Sequence, residues 1–287
     1  MNSAKIDKAL ADYIDRLYAG AERQRVVIDA LRYSVLSGGK RVRARLATAF
    51  CEAVGGKAEN ALSSALAVEF IQAFSLIHDD LPCMDDDLLR RGKPSCHAVY
   101  GEANALLAGD ALGCLAFEVV ADDETLPDKS RLRIIKTLAN CSGTSGLIGG
   151  QVLDIAFETE VPELDELEYM YAGKTAALIK AAVLCGCIAG GATPEEEAAA
   201  ALYAEKIGLA YQIKDDILDI TGDEAVLGKP IGSDAANGKT TYVTIKGIEE
   251  SERKCEQLTN EALEILGKFK NPEELILITN ELLKRNK

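Results

Sequence analysis

The sequence predicts an all-α fold in a single domain. In the segment 61–77 the apolar residues recur at helical spacing, with alanines between them: Leu62, Leu66, Phe70, Phe74 and Ile77. No alternating strand pattern persists, and the one Asn-Gly pair, at 237–238, lies in a polar segment. Glycine and proline cluster where helices should break, as at Gly38-Gly39, Gly149-Gly150 and the stretch 221–240.

The order of elements follows from helix start and stop signals. Thr193-Pro194 and Asn271-Pro272 are each followed by two glutamates, which is typical of a helix start. The segment 176–189 is apolar on most sides, which predicts a helix in the middle of the bundle. The polar segments 121–130 and 158–166 are expected to connect helices. No low-complexity linker divides the 287 residues, so we expect one domain, 1–287, of ten or more helices.

Composition excludes several classes of partner. The net charge of -14 and a pI near 4.7 argue against binding to nucleic acid or to anionic membranes. The N-terminus has no signal-peptide pattern, and no run approaches the roughly 18 continuous apolar residues of a membrane span. Eight cysteines without a C-x-x-C pair indicate free thiols, and two histidines give no zinc-ligand spacing. We therefore expect a soluble, cytoplasmic protein without stable membrane insertion.

Two aspartate clusters carry the chemistry. The first follows the apolar helix around 61–77 and contains Asp79, Asp80 and Asp85. The second contains Asp215, Asp216 and Asp219; because Asp215 and Asp219 are four residues apart, they share one helix face, with Gln212 one turn earlier. Like charges at that spacing repel each other unless a cation lies between them. Carboxylates that face one another across a bundle suit Mg²⁺ held partly by substrate phosphate.

Basic residues complement these acids. Gly38-Gly39 precedes Lys40, Arg41 and Arg43 in a loop that leads into a predicted helix, where cations and backbone N–H groups can hold phosphate. The remaining candidates are Arg90, Arg91, Lys174, Lys229 and Lys239. On an acidic chain these basic residues indicate two anion sites.

In this order the segments GGKRVR, SLIHDDLPCMDDDLLRRGKPSCH, GKT, YQIKDDILD, GKPIGSD and GKTTY resemble the trans-prenyl diphosphate synthases, closest to the bacterial farnesyl type. The resemblance covers residues 25–247. It implies an all-α helical bundle of the isoprenoid synthase type around a deep central cavity. It also implies a homodimer, and three Mg²⁺ ions between the aspartates and an allylic diphosphate.

The resemblance also implies roles for individual residues. Asp79, Asp80 and Asp85 match the first metal motif and Asp215, Asp216 and Asp219 the second, with Asp79, Asp85, Asp215 and Asp219 as metal ligands. Residues that match the surroundings of the allylic diphosphate are Arg90, Lys174, Thr175, Gln212, Lys229 and Lys239. Lys40, Arg43 and Arg91 match the isopentenyl diphosphate pocket. Gln72 stands where many relatives carry histidine, and its amide can still donate a hydrogen bond there.

The implied reaction is ionisation of the allylic diphosphate followed by alkylation of isopentenyl diphosphate, with the aspartates as ligands and no side chain as nucleophile. Phe74 and Ser75 precede Asp79 by five and four residues, so Phe74 lies roughly 7–8 Å below the metal-binding end and could form the cavity floor. An aromatic residue there resembles the farnesyl-producing type. A geranylgeranyl diphosphate synthase, a terpene cyclase or squalene-synthase-like enzyme, and a non-catalytic prenyltransferase subunit or metal-binding scaffold remain alternatives.

Overall fold

The computed structural model of the protein describes residues 1–221 and 239–283. The first half contains α1 Ser3–Arg16, α2 Arg25–Val35, α3 Val42–Ala53, α4 Leu62–Asp79, α5 Cys96–Tyr100, α6 Glu102–Ala121 and α7 Asp128–Ser142. The second half contains α8 Leu147–Ala156, α9 Leu164–Tyr171, α10 Ala177–Gly190, α11 Pro194–Thr221, α12 Tyr242–Lys246, α13 Ile248–Leu266 and α14 Glu273–Leu283. In these ranges the strands are confined to β1 Leu89–Arg90 and β2 Lys93–Pro94, an antiparallel hairpin. The predicted all-α class is confirmed.

Helix α10 is the central helix of the bundle, as its sequence predicts. It packs against α3, α4, α7 and α11, and eleven of its residues are buried. Small residues let the backbones approach: a Cβ added to Gly186 would lie 2.1 Å from the Ala47 carbonyl oxygen of α3. The close approach of α3 and α10 therefore depends on glycine at this position.

Helix α4 leads from the core to the first aspartate cluster. It packs against α3 and α6, its apolar residues Phe70, Ile71 and Ile77 are buried, and it ends at Asp79. The apolar pattern in the sequence therefore determines which face of α4 packs in the core. It also determines that the helix leaves the core at the first aspartate cluster.

One helix start is as predicted and another differs. Thr193 caps α11: its hydroxyl accepts from the Glu196 N–H at 3.2 Å, and the Glu196 carboxylate accepts from the Thr193 N–H at 2.8 Å. Asn271 does not cap α14, because its side-chain amide donates to the Glu52 carbonyl of α3 at 3.2 Å. A tertiary contact has replaced the local one, and α14 begins at Glu273.

Three helical stretches in the described residues are long and apolar enough to cross a membrane, by length and composition alone. They are Ala58–Asp79, Glu102–Ala121 and Leu164–Gly190, and their most apolar windows are 72%, 44% and 72% buried within the protein. Core packing accounts for the first and the last of these. Helix α6 keeps exposed apolar side chains, Leu106 and Leu107 among them, and Leu106 lines a cavity.

Candidate active site

An apolar cavity of about 730 Å³ lies between α4, α6 and α8. Helix α4 contributes Asp79 at its C-terminal end, and Ser75 and Phe74 one turn or more before it. The walls are apolar, with Phe117 and Leu147 opposite α4. This arrangement places a carboxylate at an apolar cavity, which suits a ligand with a charged head and a hydrocarbon tail.

The ionisation of Asp79 is perturbed by its surroundings. Desolvation raises its pKa from 3.8 to about 6; the cations Lys174 and Arg90 lower the pKa, whereas Asp85 and Asp154 raise it further. The backbone ties Asp85 to the same corner, since its N–H donates to the Asp79 carbonyl at 2.9 Å. The desolvated carboxylate of Asp79 thus lies near the exposed Asp85, and a divalent cation would relieve the charge of both.

Asp80 is buried and is paired with Arg90. It is 2% exposed, and its carboxylate accepts from Arg90 Nε at 2.8 Å and from Arg90 Nη2. Burial raises the pKa of Asp80, and the Arg90 hydrogen bond opposes that rise. Arg90 also donates to Asp87 at 3.1 Å. Asp80 therefore orients the arginine that the sequence assigns to the allylic diphosphate.

The second aspartate cluster lies on α11. Asp216 is buried: its Oδ2 accepts from the Tyr171 hydroxyl at 2.6 Å and the Tyr242 N–H at 2.9 Å, and its Oδ1 accepts from Gln212 at 3.3 Å. The Oδ2 atom of Asp216 thus holds α11 against α9 and α12, whereas Oδ1 is bonded within α11. A direct role of Asp216 in the chemistry stays a prediction. Asp215 is half-buried and Asp219 is buried on the same helix.

Lys174 and Thr175 precede the predicted central helix of 176–189. They lie in a π-helical turn, Ala172–Ala176, that joins α9 to α10. Such turns insert one residue into a helix and often occur at functional sites. The Thr175 hydroxyl donates to Gln212 Oε1 at 2.9 Å, so this turn is tied to the second aspartate helix.

Asp154 on α8 is a site residue that sequence reasoning missed. Its Oδ2 lies 2.5 Å from Lys174 Nζ and 3.7 Å from Lys239 Nζ. A Cβ on Gly150 would lie 2.0 Å from the Lys174 backbone nitrogen, so glycine lets α8 reach the π-helical turn. The sequence signal for this residue is an aspartate in an otherwise apolar segment, four residues after Gly150. The pair Gly149-Gly150 predicted only a helix break, whereas it lies within α8.

A second cavity, of about 540 Å³, gathers the predicted isopentenyl diphosphate residues Lys40, Arg43, Gln72 and Arg91. Arg91 donates to the Gly38 carbonyl and lies over Gly39, where a Cβ would be 2.9 Å from Arg91 Nη1. Desolvation and the nearby charge of Arg41 lower the pKa of Arg91. Crowded positive charge of this kind favours an anionic ligand.

Arg41 fixes the loop of this pocket through hydrogen bonds of its guanidinium. The sequence did not predict this role. Arg41 is 5% exposed, adopts a left-handed conformation with φ 50°, and donates to Asp7 at 2.7 Å, Glu69 at 3.2 Å and the Val35 carbonyl at 2.6 Å. Glu69 also accepts from the Ala44 N–H at 3.3 Å. A strained backbone persists only where its surroundings over-determine it, so this network fixes the loop that carries Lys40 and Arg43.

The donor set fits Mg²⁺. In the described ranges, no three carboxylate, imidazole or thiol side chains converge closely enough to hold a metal by themselves. Mg²⁺ binds through one or two carboxylates, with water and substrate phosphate completing its shell. The carboxylates suited to it are Asp79, Asp85, Asp215 and Asp219.

A chain of contacts brings most predicted residues together. Asp79 lies within electrostatic range of Lys174, the next residue Thr175 bonds to Gln212, and Gln212 bonds to Asp216. Lys239 joins this chain through Asp154. Lys229 lies outside the described residues. The isopentenyl pocket is adjacent, because Gln72 and Arg91 also line a small cleft with Asp80 and Arg90.

Comparison with known proteins agrees with this geometry. A model of the polyprenyl synthetase family matches residues 24–281. Geranylgeranyl pyrophosphate synthase 3 of Arabidopsis thaliana is 50% identical over 249 residues, which are 85% of this chain and 69% of that protein. Farnesyl diphosphate synthase of Escherichia coli K12 is 45% identical over 247 residues, 84% of this chain and 81% of that protein.

Among solved structures, the Helicobacter pylori geranyltransferase complexed with magnesium and isoprenyl diphosphate has a TM-score of 0.82 at 36% identity. The match covers 90% of this chain and 88% of that one. The fold and much of the sequence are thus shared with known enzymes, and the chain belongs to the polyprenyl synthetase family as a prenyltransferase.

Proposed function

We propose that the protein condenses isopentenyl diphosphate head-to-tail with the allylic substrates dimethylallyl and geranyl diphosphate, and that farnesyl diphosphate is the main product. One observation carries this proposal: Asp79 and Phe74 line the same apolar cavity, on one helix and five residues apart. A prenyl chain whose diphosphate lies near Asp79 would extend towards the Phe74 ring.

Two groups of residues would hold the two substrates. Lys40, Arg43, Gln72 and Arg91 would bind isopentenyl diphosphate in the 540 Å³ cavity. The residues assigned to the allylic diphosphate are Arg90, Lys174, Thr175, Gln212, Lys229 and Lys239. Neighbouring sites of this kind hold the reacting carbons together, which lowers the entropic part of the barrier.

Mg²⁺, which we propose as three ions held by Asp79, Asp85, Asp215 and Asp219, would neutralise charge that develops on the leaving diphosphate. The Helicobacter pylori geranyltransferase structure, with its magnesium and isoprenyl diphosphate, supports the identity of the ion. In this role Asp79, Asp85, Asp215 and Asp219 are ligands, and none of them needs to accept the reaction's proton.

The chain's own cations act on the ionisation step. As the allylic C–O bond breaks, its electron pair leaves with the diphosphate, and Arg90 and Lys174 stabilise that charge from fixed positions. The double bond of isopentenyl diphosphate then forms the new C–C bond, and the departed diphosphate takes the proton that is released. Apolar walls such as Phe117 and Leu147 keep water from the cation.

We also propose that the protein works as a cytoplasmic homodimer. Val99 and Leu107 are large apolar side chains exposed on α5 and α6, and a second copy would cover them. The eight cysteines, which all lie in the described residues, form no disulfide there, which suits a reducing compartment. The negative net charge supports a protein that does not bind nucleic acid or insert stably into membranes.

Geranylgeranyl diphosphate synthesis is the second candidate, because relatives of both names match at similar identity. The experiment that separates the two uses the purified protein, Mg²⁺, isopentenyl diphosphate and each allylic substrate in turn, with chromatographic analysis of chain length. A mainly fifteen-carbon product supports the proposal, whereas a mainly twenty-carbon product overturns the farnesyl assignment. If no chain grows from any substrate, the protein is a non-catalytic subunit and the whole proposal is wrong.

A further inference from the structure

His78 occupies a notch between α4 and α6 beside the apolar cavity. Its Nε2 lies 3.1 Å from the Leu106 carbonyl oxygen of α6. A carbonyl oxygen can only accept, so the hydrogen bond requires a proton on Nε2. The carboxylate of Asp110, one turn further along α6, lies 3.8 Å from the same nitrogen.

Gly109 makes the notch possible. A Cβ at this position would lie 2.2 Å from His78 Nε2 and 2.4 Å from its Cδ2, which no real side chain allows. Gly109 lies within α6 and does not have a positive φ, so the requirement for glycine here is one of space. The Nε2 edge of the imidazole is therefore held against the α6 backbone by close packing on Gly109 and by the hydrogen bond to Leu106.

The imidazole of His78 also contacts the ring of Phe74. The two residues are four apart on α4 and so share a helix face. Their ring centroids are 5.1 Å apart with an interplanar angle of 86°, an edge-to-face contact. Phe74 itself is only partly buried, and both rings line the cavity. The Phe74 ring is thus in contact with an imidazole that is itself held against α6.

We infer that His78, seated over Gly109, is a positioning residue for product length: it fixes the orientation of the Phe74 ring and thereby the depth of the cavity. This inference rests on the proposed function, since it assigns a role in setting the length of the prenyl chain. It gives His78 no part in proton transfer or metal binding.

The test compares chain-length distributions of wild type, His78→Ala, Phe74→Ala and the double variant under identical conditions. His78→Ala is expected to raise the fraction of products longer than those of wild type at least threefold, with the KM for isopentenyl diphosphate within a factor of two. In the double variant, the loss of His78 should add nothing to the change that Phe74→Ala produces alone, because His78 acts through Phe74.

Glycine substitutions on α6 give a matched pair. Gly109→Ala places a methyl group against the imidazole, so it should displace His78 and lengthen products as His78→Ala does. Gly113 also lines the cavity, but a Cβ there would have no atom within 4 Å, so Gly113→Ala leaves His78 in place and should not lengthen products.

The possible results distinguish a failure of this inference from a failure of the proposed function. A His78→Ala enzyme that is slower but keeps the wild-type product length shows that His78 is only structural, and the inference is wrong while the proposed function stands. Additive changes in the double variant also overturn it, because His78 would then act independently of Phe74. A wild-type protein that extends no allylic substrate contradicts the proposed function instead.

Discussion

The ammonium group of Lys174 donates to the carboxylate of Asp154 at 2.5 Å, across the junction of α8 and the π-helical turn. The same carboxylate lies 3.7 Å from Lys239 Nζ, although that lysine comes from a distant part of the sequence. One acid therefore holds two of the cations assigned to the allylic diphosphate. It also lies close enough to Asp79 to raise the pKa of that carboxyl.

Replacement of Asp154 should weaken catalysis without unfolding the protein. In Asp154→Asn both lysines lose their charged partner, so we expect kcat to fall roughly 10–100-fold, as is usual when a residue that orients catalytic groups is removed. The KM for isopentenyl diphosphate should change little. The control is Glu205→Gln, which breaks an exposed Lys180 pair of 2.8 Å and should leave kcat unchanged. Equal losses in both variants would contradict the assignment.

Mg²⁺ binding should depend on the ionisation of Asp79. Burial raises the Asp79 pKa to about 6, and a metal ligand must be deprotonated. The rise in melting temperature that Mg²⁺ and inorganic pyrophosphate produce together should therefore grow between pH 5 and pH 7. In the wild type without Mg²⁺, the raised pKa makes the folded state less stable as pH rises from about 4 to about 6, and the penalty is fully present above that range.

Asp79→Asn removes this penalty. The variant without Mg²⁺ should be more stable than wild type at pH 7 by at most about 3 kcal/mol, and the difference should vanish near pH 4. Its activity should fall by orders of magnitude, as should that of Asp215→Ala, because each change removes a proposed metal ligand. Denaturant unfolding at several pH values and product assays measure these effects. Full activity in either variant would rule out the metal assignment.

The two anion sites should separate kinetically. Lys40→Ala and Arg43→Ala should mainly raise the KM for isopentenyl diphosphate, because both residues line the 540 Å³ cavity. Lys174→Ala should mainly lower kcat or raise the KM for geranyl diphosphate. Initial rates with each substrate varied in turn provide the measurement. If the three variants affect both substrates equally, the sites are not distinct.

Arg41 should stabilise the folded protein, because its ion pairs fix the loop that carries Lys40 and Arg43. Arg41→Met leaves the Glu69 carboxylate buried without its arginine partner, and loss of one partner of a buried pair costs roughly 3–5 kcal/mol. Arg253→Met, which removes the exposed pair with Glu250, is the control and should change the free energy of unfolding by less than about 0.5 kcal/mol. Urea unfolding distinguishes them, and similar values would show that the buried network contributes little.

Much of the fold and of the site could be predicted from local sequence patterns. The apolar period that ends at Asp79 predicted α4 and its exit at the site, and the basic loop after Gly38-Gly39 predicted a set of residues that do line one cavity. Asp154 and Arg41 could not be found this way, because their roles depend on partners distant in sequence, at Lys174, Lys239 and Glu69. The π-helical turn was missed because apolar periodicity does not reveal one inserted residue.

Phe74 should limit the product to fifteen carbons. Its ring lines the 730 Å³ cavity on the same helix as Asp79, and roughly 7–8 Å of helix separates the two. Phe74→Ala removes the ring and deepens the cavity, so the main product should shift to twenty carbons or more, with less than a tenfold loss of kcat for the first condensation. Phe117→Ala, on the opposite wall, is the comparison: it widens the cavity without removing the ring below Asp79 and should change product length less. A folded, active Phe74→Ala enzyme that still stops at fifteen carbons would show that another residue forms the floor.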